Sequence, residues 1–206
     1  MRSTEGRLGA PTAAGKIEPR GSFRRSPPAG HPDTPPGGLV DGRRLALKRI
    51  VVNPVSHQLS IRNRQLTRRV DCRFLARLTR VLLRDLMQKP SYELAIYLVG
   101  GPEITQLNET FLQHHGPTDV ITFDYCDPAQ PESLSGEVFV CLDEAERQAR
   151  LFHASWQSET VRYVVHGILH LCGYDDHKPG DRRKMKREED RLVRELSRRF
   201  AFPQLG

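Results

Sequence analysis

The stretch Val164 to His177, VVHGILHLCGYDDH, constrains this 206-residue chain more than any other. His166 and His170 stand four residues apart, and at about 100° per residue such a pair projects from one side of a helix, within reach of a single ion. Zinc bound through imidazole sits ~2.0–2.1 Å from nitrogen in a tetrahedral shell, which two ligands on a straight helix cannot complete. A third ligand must come from elsewhere. Gly173 supplies the means, because a residue free to adopt positive φ is a common helix terminator, and Asp175, Asp176 and His177 lie just beyond it. Three protein ligands leave a fourth position open, the feature that separates a catalytic zinc from a structural one. Val161, Val165, Ile168, Leu169 and Cys172 fall on one stripe that Val164 and Leu171 widen, so the helix is expected to be buried except for a polar histidine flank that needs a partner.

The spacing of His166, His170 and Gly173 matches the zinc protease signature HExxHxxGxxH, but the chemistry differs. In that signature the Glu after the first His is the general base, and here the position is Gly167. A metallopeptidase built this way would lack its base.

The first part of the chain is of another kind. Residues 1 to 41 hold seven of the fifteen prolines, with Gly and Ser between them and little apolar periodicity. Such a segment cannot bury enough apolar surface to offset its ordering entropy, so residues 1–45 are expected to be a disordered Pro/Gly/Arg-rich tail and 46–206 a single catalytic domain. No apolar run follows the early arginines and none of ~18 residues occurs anywhere, which argues against a signal peptide or a membrane span and for a cytoplasmic protein. The four cysteines, Cys72, Cys126, Cys141 and Cys172, are scattered with no CxxC pair, which suits reduced thiols rather than disulfides or a cysteine zinc site. The net charge of +7 is concentrated in residues 1–49, at ten basic against four acidic. The remainder is nearly neutral but segregated. Residues 50–84 carry eight basic against one acidic, 85–177 four against fifteen, and 178–206 ten against five. Basic flanks around an acidic middle fit phosphates held beside a metal, although a solvated helix face explains a charge run equally well.

The periodicity predicts a strand over Ala46–Val55, then a helix capped by Asp71 with Phe74, Leu75, Leu78, Leu82 and Leu86 inward and Arg73, Arg77, Arg80 and Arg84 outward. Tyr92–Val99 reads as a central strand and Glu103–Leu112 as a helix. Val120–Tyr125 and Gly136–Leu142 read as strands, and Asp143 as the cap of a helix that turns Ala145, Ala149 and Phe152 inward. A last helix from Asp181 to Arg199 buries Met185, Leu192, Leu196 and Phe200. The elements do not alternate strictly, so the expected fold is α+β, a mixed α/β domain with about four strands in a mixed sheet, about five helices around it, and the zinc site on a central helix. Pro117, Thr118 and Asp119 make a turn into a strand that serves equally to position a substrate.

The run HGILHLCGYDDH resembles the HGxLHLxGYDH signature of the YbeY family of metal-dependent endoribonucleases. LNETFLQHHGPTDVITF, from Leu107 to Phe123, resembles the family's LNxxxRxxDxPTDVLSF, and GEVFV at Gly136 its GDI segment. The resemblance spans about residues 46–200. It implies a single-strand-specific, zinc-dependent endoribonuclease acting in ribosomal RNA maturation at the 3′ end of the small-subunit RNA and in ribosome quality control. It also implies single-stranded RNA and the small ribosomal subunit as partners, and one Zn²⁺ as cofactor. Three departures stand out. Leu112 replaces an Arg and His115 an Asp, so His114, His115 or a basic flank would have to meet the phosphate; Glu137 replaces Asp; and an extra Asp precedes the last His. At the family's position for that His stands Asp176, with His177 one residue further. Both residue types bind zinc at similar distance. The expected ligands are His166, His170 and His177, with Asp176 orienting water or a ligand. Glu137 or Asp175 is expected to accept a proton at the catalytic centre, and Thr118, Asp119 and His114 to contact substrate. A ribosome-associated assembly module with a structural metal is the alternative, and a metallopeptidase a weaker one.

Overall fold

The computed structural model describes residues 56–206 and the short strand Gly15–Ile17. The strand expected over Ala46–Val55, and the rest of the segment read as a tail, lie outside the described residues.

The chain order is β1 (Gly15–Ile17), β2 (His57–Asn63), α1 (Cys72–Val81), β3 (Ser91–Val99), α2 (Gly101–Leu107), β4 (Val120–Asp124), β5 (Ser133–Cys141), α3 (Leu142–Leu151), α4 (Trp156–Leu171), α5 (Pro179–Arg199) and a closing 3-10 turn (Phe202–Leu205). α1 and α2 each run on into a π-turn, Leu82–Leu86 and Asn108–Leu112. Five strands form one mixed sheet in the order β1-β4-β5-β3-β2. β3 pairs parallel with both β2 and β5, β4 runs antiparallel to β5, and β1 pairs parallel with β4. β1 belongs to the segment expected to be disordered; its three residues lie on the sheet edge.

Local signals explain most of these elements. The Asp71 carboxylate accepts from the backbone N–H groups of Arg73 (2.8 Å) and Phe74 (2.9 Å), two donors that the first turn of α1 cannot satisfy itself. Asp143 behaves otherwise than expected. α3 starts at Leu142 with Cys141 as its uncapped N-cap, and Asp143 instead accepts from Gly101 N–H (2.7 Å), capping the first turn of α2.

Strand alternation sorts the sheet into two faces. Leu94, Ile96 and Leu98 of β3 and Leu134, Val138 and Val140 of β5 join the main core with α1, α4 and α5. The odd positions Val99, Phe139 and Cys141 join Ile104 and Ile121 in a smaller cluster. α4 lies against the first face through Gly167, where an added Cβ would come within 2.5 Å of Val138 Cγ1 and 3.0 Å of Val120 Cγ1. The residue that replaces the protease glutamate is therefore set by close helix–sheet packing. No helix among the described residues is long and apolar enough to cross a membrane.

Candidate metal centre

α4 begins at Ser155, whose hydroxyl accepts from Ser158 N–H (3.2 Å). From Glu159 to Leu171 nearly every residue is buried, His166 and His170 included. The helix ends as a Schellman motif: Gly173 at φ +85° donates its N–H to His170 O (2.9 Å) and Tyr174 donates to Leu169 O (3.0 Å). This turn fixes the path of the chain from Tyr174 to Asp176. Tyr174 O faces His170 Nδ1 at 3.1 Å, and Asp176 O accepts from Arg182 Nε of α5 at 2.8 Å.

The side chain brought beside the two histidines is that of Asp176, which is 8% exposed. Its Oδ2 lies 3.8 Å from His166 Nε2 and its Oδ1 4.0 Å from His170 Nε2, and the three residues form a group whose ligand atoms lie within 4.8 Å of one another. His177 stands outside that group. Its side chain is 72% exposed and its Nδ1 is hydrogen-bonded to the Asp175 carboxylate. The physical reason is register: with Gly173 and Tyr174 held by backbone bonds and the Asp176 carbonyl by the Arg182 side chain, the turn has no slack to take up the extra residue. Asp175, Asp176 and His177 make a second, more exposed group.

The outer nitrogens of the pair determine what the inner ones can do. Glu189 of α5 accepts from His166 Nδ1 through Oε2 (2.9 Å), while its Oε1 takes Arg162 Nη1 (2.5 Å) and Lys186 Nζ (2.9 Å). A carboxylate and a carbonyl only accept, so both Nδ1 atoms carry hydrogen and both Nε2 atoms present lone pairs. Those two lone pairs face each other at 3.1 Å. Two acceptors at that distance require a shared cation. A proton meets the need in part: burial pushes the His166 imidazole down, but the Glu189 hydrogen bond and charge outweigh it and the net shift is upward. Burial and the charge of His166 hold His170 down at about 4. A metal ion fits better, because two nitrogens at ~2.0–2.1 Å from a tetrahedral centre lie ~3.3–3.4 Å apart.

Asp119 stands at the start of β4, close enough to His166 for the two charges to act on each other. Its carboxylate accepts from Thr118 Oγ1 (3.1 Å) and Val120 N–H (2.9 Å), and burial pushes its carboxyl up. The loop before it is held by Asn108, whose Nδ2 donates to Gly116 O (2.9 Å). His114 and His115 are exposed on that loop. Leu112 packs against the smaller apolar cluster.

Glu137 lies on the other face of the sheet from α4. Its neighbours Gly136 and Val138 meet α4, so Glu137 points away, accepting from Tyr97 Oη and Tyr125 Oη at 3.1 Å each. Burial, then Glu137, pushes the Tyr125 hydroxyl up to about 12.

Glu189 was not among the residues singled out from the sequence, although a signal exists: it sits at i+4 from Met185 and i−3 from Leu192, an acid on the buried stripe of a charged helix. Burial would raise its carboxyl, yet His166, Lys186 and Arg162 hold it at about 2.

Residues 60–197 match the family described as "Endoribonuclease YbeY". The chain belongs to the YbeY family. It is 36% identical over 141 residues to an endoribonuclease YbeY of Chlorobium luteolum, an alignment that covers 68% of this chain and 99% of that protein. A second relative, the endoribonuclease YbeY of Bacteroides thetaiotaomicron, is 41% identical over 101 residues, 49% of this chain and 72% of its own length. The solution structure of a Thermotoga maritima protein superposes with a TM-score of 0.50 at 28% identity, covering 68% of this chain and 89% of that one.

Proposed function

We propose that this chain is a metal-dependent endoribonuclease that cleaves single-stranded RNA in ribosomal RNA maturation, working in the cytoplasm on the small ribosomal subunit. The observation that carries the reading is the pair of Nε2 lone pairs converging at 3.1 Å beside a buried carboxylate, in a chain of this family. One zinc ion would be held by His166, His170 and Asp176. When bound, a divalent ion supplies Lewis acidity toward water and a phosphoryl oxygen.

The chain's own residues do the rest. Glu189 and Tyr174 O fix the tautomers, so that both imidazoles offer Nε2 without a rotation that would cost affinity. Arg162 and Lys186 keep Glu189 ionised for that purpose. Asp119, with its raised carboxyl and its place beside His166, takes the proton-accepting role expected of Glu137, which faces away from α4. Thr118 holds Asp119. His177 and Asp175, hydrogen-bonded at the rim, are placed to meet substrate.

The test is cleavage of single-stranded RNA and of casein by the full chain, with and without chelator. Chelator-sensitive cleavage of RNA alone supports the proposal; RNA binding with no turnover supports an assembly module instead, and cleavage of casein a peptidase.

A further inference from the structure

Surface cations on this protein are treated in two ways. On α3 both are neutralised within their own helix, Arg147 by Glu144 and Arg150 by Glu146 at 2.5 Å, and α5 mixes the two treatments: Arg191 pairs with Glu188 at 2.6 Å and Arg198 with Glu195 at 2.5 Å, while Arg183, Arg187 and Arg194 are exposed and meet no carboxylate among the described residues. α1 is built otherwise. Its Arg73, Arg77 and Arg80, with Arg84 of the π-turn that continues it, are all exposed, recur at intervals of four, three and four residues, and pair with no carboxylate among the described residues. The two nearby acids are engaged elsewhere, Asp71 as the helix cap and Asp85 with Arg199 at 3.6 Å. Neighbouring like charges at these spacings repel, so the arrangement weakens an isolated helix and is not explained by the fold. The opposite side of α1 is fully committed, with Phe74, Leu75 and Leu78 in the main core.

We propose that this arginine ladder is a docking face for the sugar–phosphate backbone of the RNA substrate, an inference that rests on the nuclease reading above. Eleven steps of ~1.5 Å put the four guanidinium stems along a line of about 16 Å, roughly one turn between successive members. A row of cations at regular intervals complements a linear polyanion, and the planar fork of Arg suits phosphate oxygens. A membrane surface is the poorer occupant: an interfacial helix sinks an apolar face into lipid, whereas α1 has its apolar face in the core and contributes none of the exposed large hydrophobic residues.

The experiment compares Arg73→Gln/Arg77→Gln/Arg80→Gln with a charge-matched control, Arg150→Gln/Arg191→Gln/Arg198→Gln, in the full-length chain. Binding of a labelled oligouridylate is followed in chelator, so that no cleavage intervenes, over a range of salt. Loss of three backbone contacts should make the log–log salt slope shallower by about 2, at ~0.7 per contact on a single strand, while the control keeps the wild-type slope. Arg73→Lys/Arg77→Lys/Arg80→Lys should keep most of the slope, and thermal melts must agree among all variants. An unchanged slope in the Gln ladder variant, or an equal loss in the control, overturns the assignment. So does ladder-dependent binding to vesicles of phosphatidylglycerol with none to RNA. Wild-type cleavage of the same RNA with zinc restored is read in parallel: if it persists while the slope is unchanged, only the ladder fails, and if wild type never cleaves, the nuclease reading fails.

Discussion

Replacing Glu189 by Gln removes one charge and no volume from the wall of the candidate metal centre, and the structure allows its cost to be worked out. The carboxylate holds the Nδ1 hydrogen of His166 (2.9 Å) and is itself held by Arg162 and Lys186. Second-layer partners of this type are typically worth about 10–100-fold in metal affinity, and that is the loss expected for zinc in Glu189→Gln. The metal-free protein should respond as well. The carboxyl sits at about 2 against an ordinary 4.5. Because the folded value is depressed, its contribution is present in full above pH 4.5 and is lost as pH falls toward 2, and the gap corresponds to about 3 kcal/mol. Urea unfolding of the chelated protein should therefore show a stability difference between wild type and Glu189→Gln that shrinks by about that amount across this window. Zinc affinity would be read by competition with a chromophoric chelator. Wild-type affinity in the variant, together with a pH-independent stability difference, would refute the idea that Glu189 positions His166.

Asp176→Asn should lose most bound zinc, whereas His177→Ala should keep it, as metal analysis of the purified variants will show; the opposite pattern would restore His177 as the ligand. Gly167→Ala should destabilise the fold by about 1–3 kcal/mol, since its Cβ would meet Val138 Cγ1 at 2.5 Å, and a thermal melt that shows no fall would contradict the packing account. Removing residues 1–44 should leave zinc content unchanged and cost little thermal stability, because among the described residues it removes only the three-residue edge strand β1; loss of metal on truncation would place the domain boundary earlier.

The elements with strong local signals were legible in the sequence. α1 has its cap and its stripe, β3 its continuous apolar run, and α4 its histidine flank. β2 was not anticipated, because only Leu59 and Ile61 of HQLSIRN alternate inward, as expected of a strand with a neighbour on one side only, while the more apolar run before it drew the assignment. The role expected of Glu137 needed a face: Val138 and Val140 on one side of β5 and Phe139 and Cys141 on the other are all apolar, so residue type alone does not say which way an acid beside them points. Period two does, once Gly136 and Val138 are known to meet α4. Which side chain stands beside the two histidines turned on a single residue of register, and the bonds that fix it, from Gly173 N–H to His170 O and from Arg182 Nε to Asp176 O, form only in the folded turn. Glu189 and Arg162 were hidden for a similar reason. Each lies among charged residues on its own helix, and only the packing of α4 against α5 removes both from water and joins them.

The central claim is that His166, His170 and Asp176 form one metal centre, and anomalous scattering at the zinc edge from crystals of the full chain tests it most directly. One ion is expected at ~2.0–2.2 Å from both Nε2 atoms and from a carboxylate oxygen of Asp176, with His177 turned to Asp175. Anomalous density on His177 with Asp176 free, or none between the two histidines at saturating zinc, would contradict it.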